Sequence, residues 1–294
     1  MKRAEACRLT RRLANEMQTK HRIYHTGFKG AKILVTGCKV AGEEILRAVA
    51  AILNEYNGSV YTGADMGVSA LDMEVLAGMT PYVLSAVGSN SDPNAATAFG
   101  VVGAMEAWFD RRIRGQRVLV HGVGKVGRAA AIILAESGAD VFTYDVDISV
   151  ADVPGCQTVS DWLGCEVDVL VPCSRSELID ARIAEQLRCQ AVIGSANAVL
   201  ADECRTIDVL ERRGITFIPG PVVNAGAVIL DSIEHYAPAV FEGAQPQQVY
   251  EFIKNTIRST ASEFLMMRKV TGDSPMKTLT QLQHPSKICG MTFR

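Results

Sequence analysis

The chain has 294 residues, of which 48% are hydrophobic and 21% are charged, and its formal net charge at pH 7 is −2. This length and composition are typical of a two-domain globular protein with a large core. The small net charge argues against a protein that binds nucleic acid electrostatically. No apolar run is long enough for a membrane span, and the first residues lack a hydrophobic signal segment. We therefore expect a cytoplasmic protein.

The first ninety residues alternate between helical and extended patterns. Apolar side chains recur at helical spacing over residues 4–18 and 41–54. Short β-type runs at residues 32–36 and 59–62 predict strands, and a polar loop over residues 88–94 ends the segment. We therefore predict an N-terminal α/β domain over residues 1–92.

After a predicted helix at residues 95–109, strands and helices alternate regularly. Five β-type runs are separated by helical stretches, at residues 117–121, 140–144, 167–171, 190–193 and 215–218. Such alternation predicts a doubly wound parallel sheet covered by helices, here over residues 93–234. Further helices are predicted at residues 225–236 and 247–269. We expect residues 235–294 to form C-terminal helices, with a polar tail, that return to the first domain.

The eight cysteines and five histidines do not form a recognisable ligand set. There is no Cys-x-x-Cys pair and no histidine at ligand spacing from a cysteine. We therefore expect reduced thiols and no metal site.

The most informative motif lies at the first strand of the parallel sheet. The run Val118-Leu-Val ends in Gly122-x-Gly124-x-x-Gly127, an Ala-rich helical segment follows, and a second β run ends in Asp145. This is the full context of a dinucleotide-binding fingerprint, in which the pyrophosphate lies at the helix N-terminus. An acid at Asp145 accepts hydrogen bonds from a ribose diol and repels a 2′-phosphate. The motif therefore favours NAD over NADP.

Two lysines precede this motif in surroundings that suit proton chemistry. Lys20 ends the first predicted helix, and Lys32 opens a strand after a glycine-containing turn. Partial burial lowers the pKa of such a lysine toward that of a useful base, and Asp65, after the next strand, is a candidate proton partner. From spacing alone, solvated surface lysines are the alternative.

Several motifs together resemble the Glu/Leu/Phe/Val dehydrogenase family, most closely its leucine and phenylalanine dehydrogenase branch. The matches are collinear over about residues 8–235. They are Met17-Gln-Thr-Lys20-His21, Lys29-Gly-Ala-Lys32, Ala64-Asp65-Met66-Gly67, Asn94-Ala-Ala-Thr97, Val171-Pro-Cys173-Ser174, Gly194-Ser-Ala196-Asn197 and Pro221-Val-Val-Asn224-Ala-Gly-Ala-Val228.

The resemblance implies a Rossmann-type NAD domain and a role for each matched residue. Lys20 would bind the substrate α-carboxylate, Lys32 would be the catalytic base, and Asp65 would exchange protons with the substrate nitrogen. Gly27 and Asn224 would contribute to the substrate site. The implied cofactor-binding residues are Thr97, Gly122, Val123, Gly124, Lys125, Val126, Gly127, Asp145, Cys173, Ser174, Ala196, Asn197 and Asn224. The implied reaction is reversible oxidative deamination of an L-amino acid to a 2-oxo acid and ammonium.

The chain departs from the family in beginning almost at the lysine segment, where family members have a further helix and strand. Two alternatives therefore stay open. One is a catalytically silent dinucleotide-binding paralogue with a regulatory or assembly role, and the other is an imine reductase-type enzyme that uses another amine. Small or apolar candidate pocket residues favour an aliphatic or aromatic substrate. The resemblance also implies a homo-oligomer, a dimer or larger.

Overall fold

The computed structural model describes residues 3–37, 42–65, 67–84 and 86–283, which divide into two compact units. The first unit contains the described residues up to Pro93 together with Ala227–Pro246, and the second contains Asn94–Gly226 and the described residues from Gln247 onward. None of the helices in these ranges combines the length and the apolar character needed to cross a bilayer.

Thirteen helices and six strands are assigned within the described residues. The helices are α1 (Arg3–Tyr24), α2 (Glu43–Glu55), α3 (Ala70–Ala77), α4 (Pro93–Trp108), α5 (Lys125–Glu136), α6 (Ile148–Ala151), α7 (Ala181–Ala184), α8 (Glu203–Arg212), α9 (Gly220–Val223), α10 (Gly226–Tyr236), α11 (Pro238–Gly243), α12 (Pro246–Thr271) and α13 (Pro275–Gln281). The strands are β1 (Arg117–His121), β2 (Asp140–Tyr144), β3 (Gln157–Thr158), β4 (Val169–Pro172), β5 (Ala191–Val192) and β6 (Thr216–Phe217).

The second unit is built on a six-stranded sheet in the order β3-β2-β1-β4-β5-β6, with every pair parallel. All four residues of β4 and both residues of β5 are buried, as expected for a sheet covered on both faces. The strand order reverses between β1 and β4, which is the position where open α/β sheets bind ligands. The predicted α/β fold with a doubly wound parallel sheet is confirmed. Strand β3 was not predicted, because its two exposed residues carry no apolar pattern.

The first unit is mainly helical in its described part. Among the described residues, the predicted strand at 32–36 has no regular secondary structure, and the run at 59–62 contributes only a parallel bridge between Thr62 and Val83. Ile33 and Val35 stay 37% and 44% exposed, because nothing in the described ranges forms a neighbouring strand over them. The strands predicted at residues 32–36 and 59–62 are therefore not assigned in the described residues, apart from the bridge at Thr62. Met66 and the tail beyond residue 283 lie outside the described residues.

Residues 235–294, which we predicted to form helices that return to the first domain, are divided between the two units. Residues of helix α12 from Gln247 onward belong to the second unit, where the helix packs against α4. Small residues on α4 permit this contact: a Cβ on Gly103 would lie 2.3 Å from the Lys254 carbonyl oxygen, and one on Gly100 would lie 2.5 Å from Ile257 Cδ1. Glu106 of α4 also pairs with Arg258 at 2.8 Å. Within the described residues, the C-terminal segment that clusters with the first unit is Ala227–Pro246.

Candidate active site

Lys20 is a buried cation near the end of α1. Its side chain is only 5% exposed, and burial lowers its pKa to about 8, with the charge of Glu16 opposing the shift and that of Lys32 adding to it. Glu16 lies four residues earlier, so both side chains project from one face of the helix. A buried ammonium of this kind is suited to bind an anionic group brought by a ligand.

The turn that carries Lys32 lies directly on α1. A Cβ on Gly30 would lie 2.3 Å from both the Ala14 carbonyl oxygen and the Gln18 backbone nitrogen, so only glycine fits there. The Gly30 amide also donates a hydrogen bond of 3.0 Å to Gln18 Oε1. This close approach brings Lys32, two residues later, to the part of α1 that presents Glu16 and Lys20.

Lys32 and Asp65 form an ion pair. The Lys32 side chain is 19% exposed and that of Asp65 is 43% exposed. Burial lowers the pKa of Lys32, and the charge of Glu16 opposes this effect. The pair therefore joins a partly desolvated amine to a carboxylate that reaches solvent, which is an arrangement that can accept and release protons. Glu16 was not identified from the sequence, although its spacing of four residues from Lys20 on a predicted helix was visible.

Helix α10 holds the loop between the two lysines in place. Ser232 Oγ donates to the Thr26 carbonyl oxygen at 2.7 Å, and the Tyr236 hydroxyl donates to the Gly27 carbonyl oxygen at 3.0 Å. Gly27 has φ +86°, and a Cβ there would lie 2.6 Å from the Tyr236 ring. The predicted substrate-site residue Gly27 is thus required by both its backbone angle and the ring beside it.

The glycine loop of the second unit forms the turn that the fingerprint predicts. Gly122 has φ +95°, and a Cβ on Gly127 would lie 1.9 Å from the Gly122 carbonyl oxygen. Gly124 has nothing within 4 Å of its Cβ position, so the backbone is open at the start of α5. The N-cap residue is Gly124, which has no side chain to cap the first amides of the helix. The helix start therefore presents backbone amides that suit an anion. Lys125 is exposed at the first helical position, and Val126 follows it, half-buried.

Asp145 lies beside this loop at the carboxyl end of β2. One carboxylate oxygen accepts a hydrogen bond from the Val123 amide at 2.7 Å, and the other accepts one from the Asp147 amide at 3.1 Å. The neighbouring His121, at the end of β1, is 5% exposed and lies 2.9 Å from Ser174 Oγ through Nδ1. Burial lowers the pKa of His121 to about 4, so its ring is neutral at pH 7.

Asn224 has a buried acceptor atom that finds no partner among the described residues. Its amide nitrogen donates to the Ser195 carbonyl oxygen and to Asn197 Oδ1, both at 2.9 Å. Its own Oδ1 has no hydrogen-bond partner in the described residues, although the residue is only 4% exposed. A buried acceptor of this kind costs free energy unless a donor arrives, so it indicates a ligand group with an N–H.

The remaining predicted cofactor residues surround the same edge of the sheet, apart from one on α4. Cys173 directly follows β4, and its amide donates a hydrogen bond to the His121 carbonyl oxygen of β1 at 2.8 Å. The Ala196 amide donates to the Pro172 carbonyl oxygen at 2.9 Å. Burial raises the pKa of the Cys173 thiol, which argues against a nucleophilic thiolate. Thr97 is 9% exposed on α4, and its Cα lies against Gly226.

Comparison with known proteins is consistent with this geometry. Residues 145–280 match the model of the Glutamate/Leucine/Phenylalanine/Valine dehydrogenase family. A phenylalanine dehydrogenase of Caldalkalibacillus thermarum is 32% identical over 248 residues, which cover 77% of this chain and 67% of the relative. A leucine dehydrogenase of Thermoactinomyces intermedius is 31% identical over 234 residues, which cover 74% of this chain and 64% of the relative. The chain thus spans about two thirds of these proteins.

Solved structures show the same fold. The crystal structure of an L-tryptophan dehydrogenase from Nostoc punctiforme has a TM-score of 0.73 at 22% identity, covering 96% of this chain and 83% of that one. A hetero-hexameric glutamate dehydrogenase from Thermus thermophilus has a TM-score of 0.76 at 22% identity, covering 97% and 79%. At this identity, the likeness establishes the fold alone.

Proposed function

The chain belongs to the Glutamate/Leucine/Phenylalanine/Valine dehydrogenase family, and from this premise we propose that it catalyses the reversible, NAD-dependent oxidative deamination of an L-amino acid. The amino acid, NAD and water give a 2-oxo acid, ammonium, NADH and a proton. The observation that carries the proposal is the cluster of two partly desolvated lysines, of which Lys32 is paired with Asp65.

Lys20 supplies the site for the α-carboxylate. Its ammonium is buried, so a carboxylate that pairs with it forms a strong, charge-assisted contact. The pairing fixes the position of Cα and of the amino group relative to Lys32. Fixed orientation of this kind lowers the barrier by removing translational and rotational freedom before reaction.

Lys32 and Asp65 handle the protons of the reaction. The substrate must lose a proton from its ammonium before oxidation, and Asp65 is the exposed carboxylate that can receive it. A neutral Lys32 takes a proton from the water that attacks the imine carbon, and later returns a proton to the leaving nitrogen. The lowered pKa of Lys32 increases its neutral fraction at mildly alkaline pH.

The second unit fits a nicotinamide dinucleotide, which would accept the hydride from Cα when bound. The open backbone at Gly124 and the free amides of α5 suit a pyrophosphate, and Asp145 suits an unphosphorylated ribose. The orphaned Oδ1 of Asn224 suits the N–H of a carboxamide. These features support NAD as the preferred cofactor.

The experiment follows NADH absorbance with NAD and a panel of L-amino acids. Lys32→Ala should abolish turnover. Lys29→Ala is the matched control, because Lys29 lies in the same turn but is exposed. NAD binding without turnover in the wild type would favour a silent paralogue, and reductive activity with an amine other than ammonium would favour the imine reductase alternative. The proposal includes a homo-oligomer, which light scattering would detect.

A further inference from the structure

Asp231 is a carboxyl group that the proposed reaction does not use. It lies on α10, directly before Ser232, whose hydroxyl binds the loop between Lys20 and Lys32. Asp231 and His235 are four residues apart and therefore share a face of the helix. The His235 ring lies 5.0 Å from the Phe28 ring and 4.7 Å from the Tyr61 ring, measured between centroids. Asp231 thus lies on the same helix face as His235, whose ring packs with Phe28 and Tyr61 beside the lysine loop.

The surroundings of Asp231 are unfavourable for an isolated carboxylate. Burial raises its pKa to about 8, and the charge of Glu234 one turn further on adds to the effect. The side chain still keeps some solvent exposure. No hydrogen bond or ion pair joins it to any residue in the ranges that the structure describes. Glu234, by contrast, accepts a hydrogen bond from the Ala86 amide at 2.9 Å.

A carboxyl group that only stabilises the fold would be expected to have a donor inside the protein. Asp231 has none in the described residues, so a donor from a ligand would relieve its desolvation. A carboxylate on the same helix face as a packed group of aromatic rings is a setting that favours an ammonium or guanidinium group. The first unit also carries groups of opposite charge in two places. The acids Asp231 and Glu234 lie on α10, and the lysines lie at positions 20 and 32. A molecule with a carboxylate at one end and a cation at the other matches that pattern.

We propose that Asp231 is a specificity-determining residue that binds the cationic end of the substrate side chain, while the apolar stem of that side chain lies against Phe28 and Tyr61. This inference rests on the proposed function and narrows its substrate class. The substrate would be an L-amino acid with an aliphatic stem that ends in an ammonium or guanidinium group.

The test compares two amino acids of equal stem length, L-lysine and L-norleucine, which differ in the terminal ammonium. The ratio of their kcat/KM values, lysine over norleucine, should be at least about 100 in the wild type, because a partly buried carboxyl that is covered by the substrate without receiving a donor disfavours the neutral analogue. Asp231→Val should lower the ratio below 1, and Asp231→Asn should lower it at least about tenfold. Glu242→Gln, which removes an exposed carboxylate from α11 of the same unit, should leave it unchanged.

Three results separate the possible failures. A wild type that prefers norleucine, or a ratio that Asp231→Val does not change, overturns the inference and leaves the proposed function intact. No NADH from any amino acid in the panel refutes the proposed function and removes the inference that rests on it. Thermal stabilisation by L-lysine, compared between the wild type and Asp231→Asn, measures the same contact without turnover and shows whether the variant folds. Equal stabilisation of the two proteins would also overturn the inference.

Discussion

Replacement of Gly30 by alanine tests how the catalytic turn is held on α1. The added Cβ would lie 2.3 Å from two backbone atoms, the Ala14 carbonyl oxygen and the Gln18 nitrogen. Ordinary contacts begin at 3.4 Å, so the turn or the helix must move by about 1 Å. Neither neighbour is the flexible end of a side chain. The backbone of Gly30 has no left-handed φ, so the effect is steric and not conformational.

The expected result of Gly30→Ala is a loss in both stability and activity. Overpacking of this kind costs about 1–3 kcal/mol of unfolding free energy. A displacement of about 1 Å at Lys32 lowers kcat/KM by about 100-fold, because the base no longer meets the substrate in its reactive geometry. Urea unfolding and NADH formation measure the two effects. Gly243→Ala is the control, since nothing lies within 4 Å of its Cβ position. Wild-type kcat/KM in Gly30→Ala would refute the reasoning.

Three further predictions concern charged groups. Because the pKa of Lys20 is about 8, the affinity for the 2-oxo acid should fall about tenfold per pH unit above pH 8. Lys20→Arg should remove this pH dependence from the binding curves. A wild type whose affinity does not change with pH would contradict the role of Lys20 as the carboxylate-binding residue. Asp145→Ala should lower the preference for NAD over NADP by at least about tenfold, measured as the ratio of kcat/KM values, and an unchanged ratio would argue against its ribose contact. Asp231 holds its proton in the folded state up to about pH 8 but loses it near pH 4 when the protein is unfolded. The unfolding free energy of the wild type, relative to that of Asp231→Asn, should therefore fall as pH rises between these values, by at most about 1.4 kcal/mol per pH unit. Urea unfolding at pH 5 and pH 8 measures this difference, and a constant gap would contradict it.

The sequence predicts the second unit well because its signals are local. The glycines at 122, 124 and 127 and the acid at 145 have fixed spacing relative to β1 and β2, so the loop follows from the chain order. The order of the six strands agrees with the doubly wound sheet that regular alternation of strands and helices predicts.

The first unit is less predictable because its site depends on contacts between distant segments. Two contacts illustrate this: Gly30 packs against α1, and Ser232 donates a hydrogen bond to Thr26. The helical or strand spacing of the sequence does not predict that these residues meet. The burial of Lys20 and the desolvation of Asp231 follow from such packing. Residues 32–36 show the same limit, since their β pattern carries no information on whether a partner strand is present.

The most direct test of the proposed function follows the hydrogen on Cα. An L-amino acid deuterated at Cα is incubated with NAD, and mass spectrometry measures the deuterium in the reduced cofactor, with ammonium and 2-oxo acid measured in the same sample. The proposed function predicts transfer of the deuterium to the cofactor, equal amounts of the three products, and loss of all three in Lys32→Ala but not in Lys29→Ala. Bound NAD with no deuterium transfer from any amino acid in the panel would contradict it.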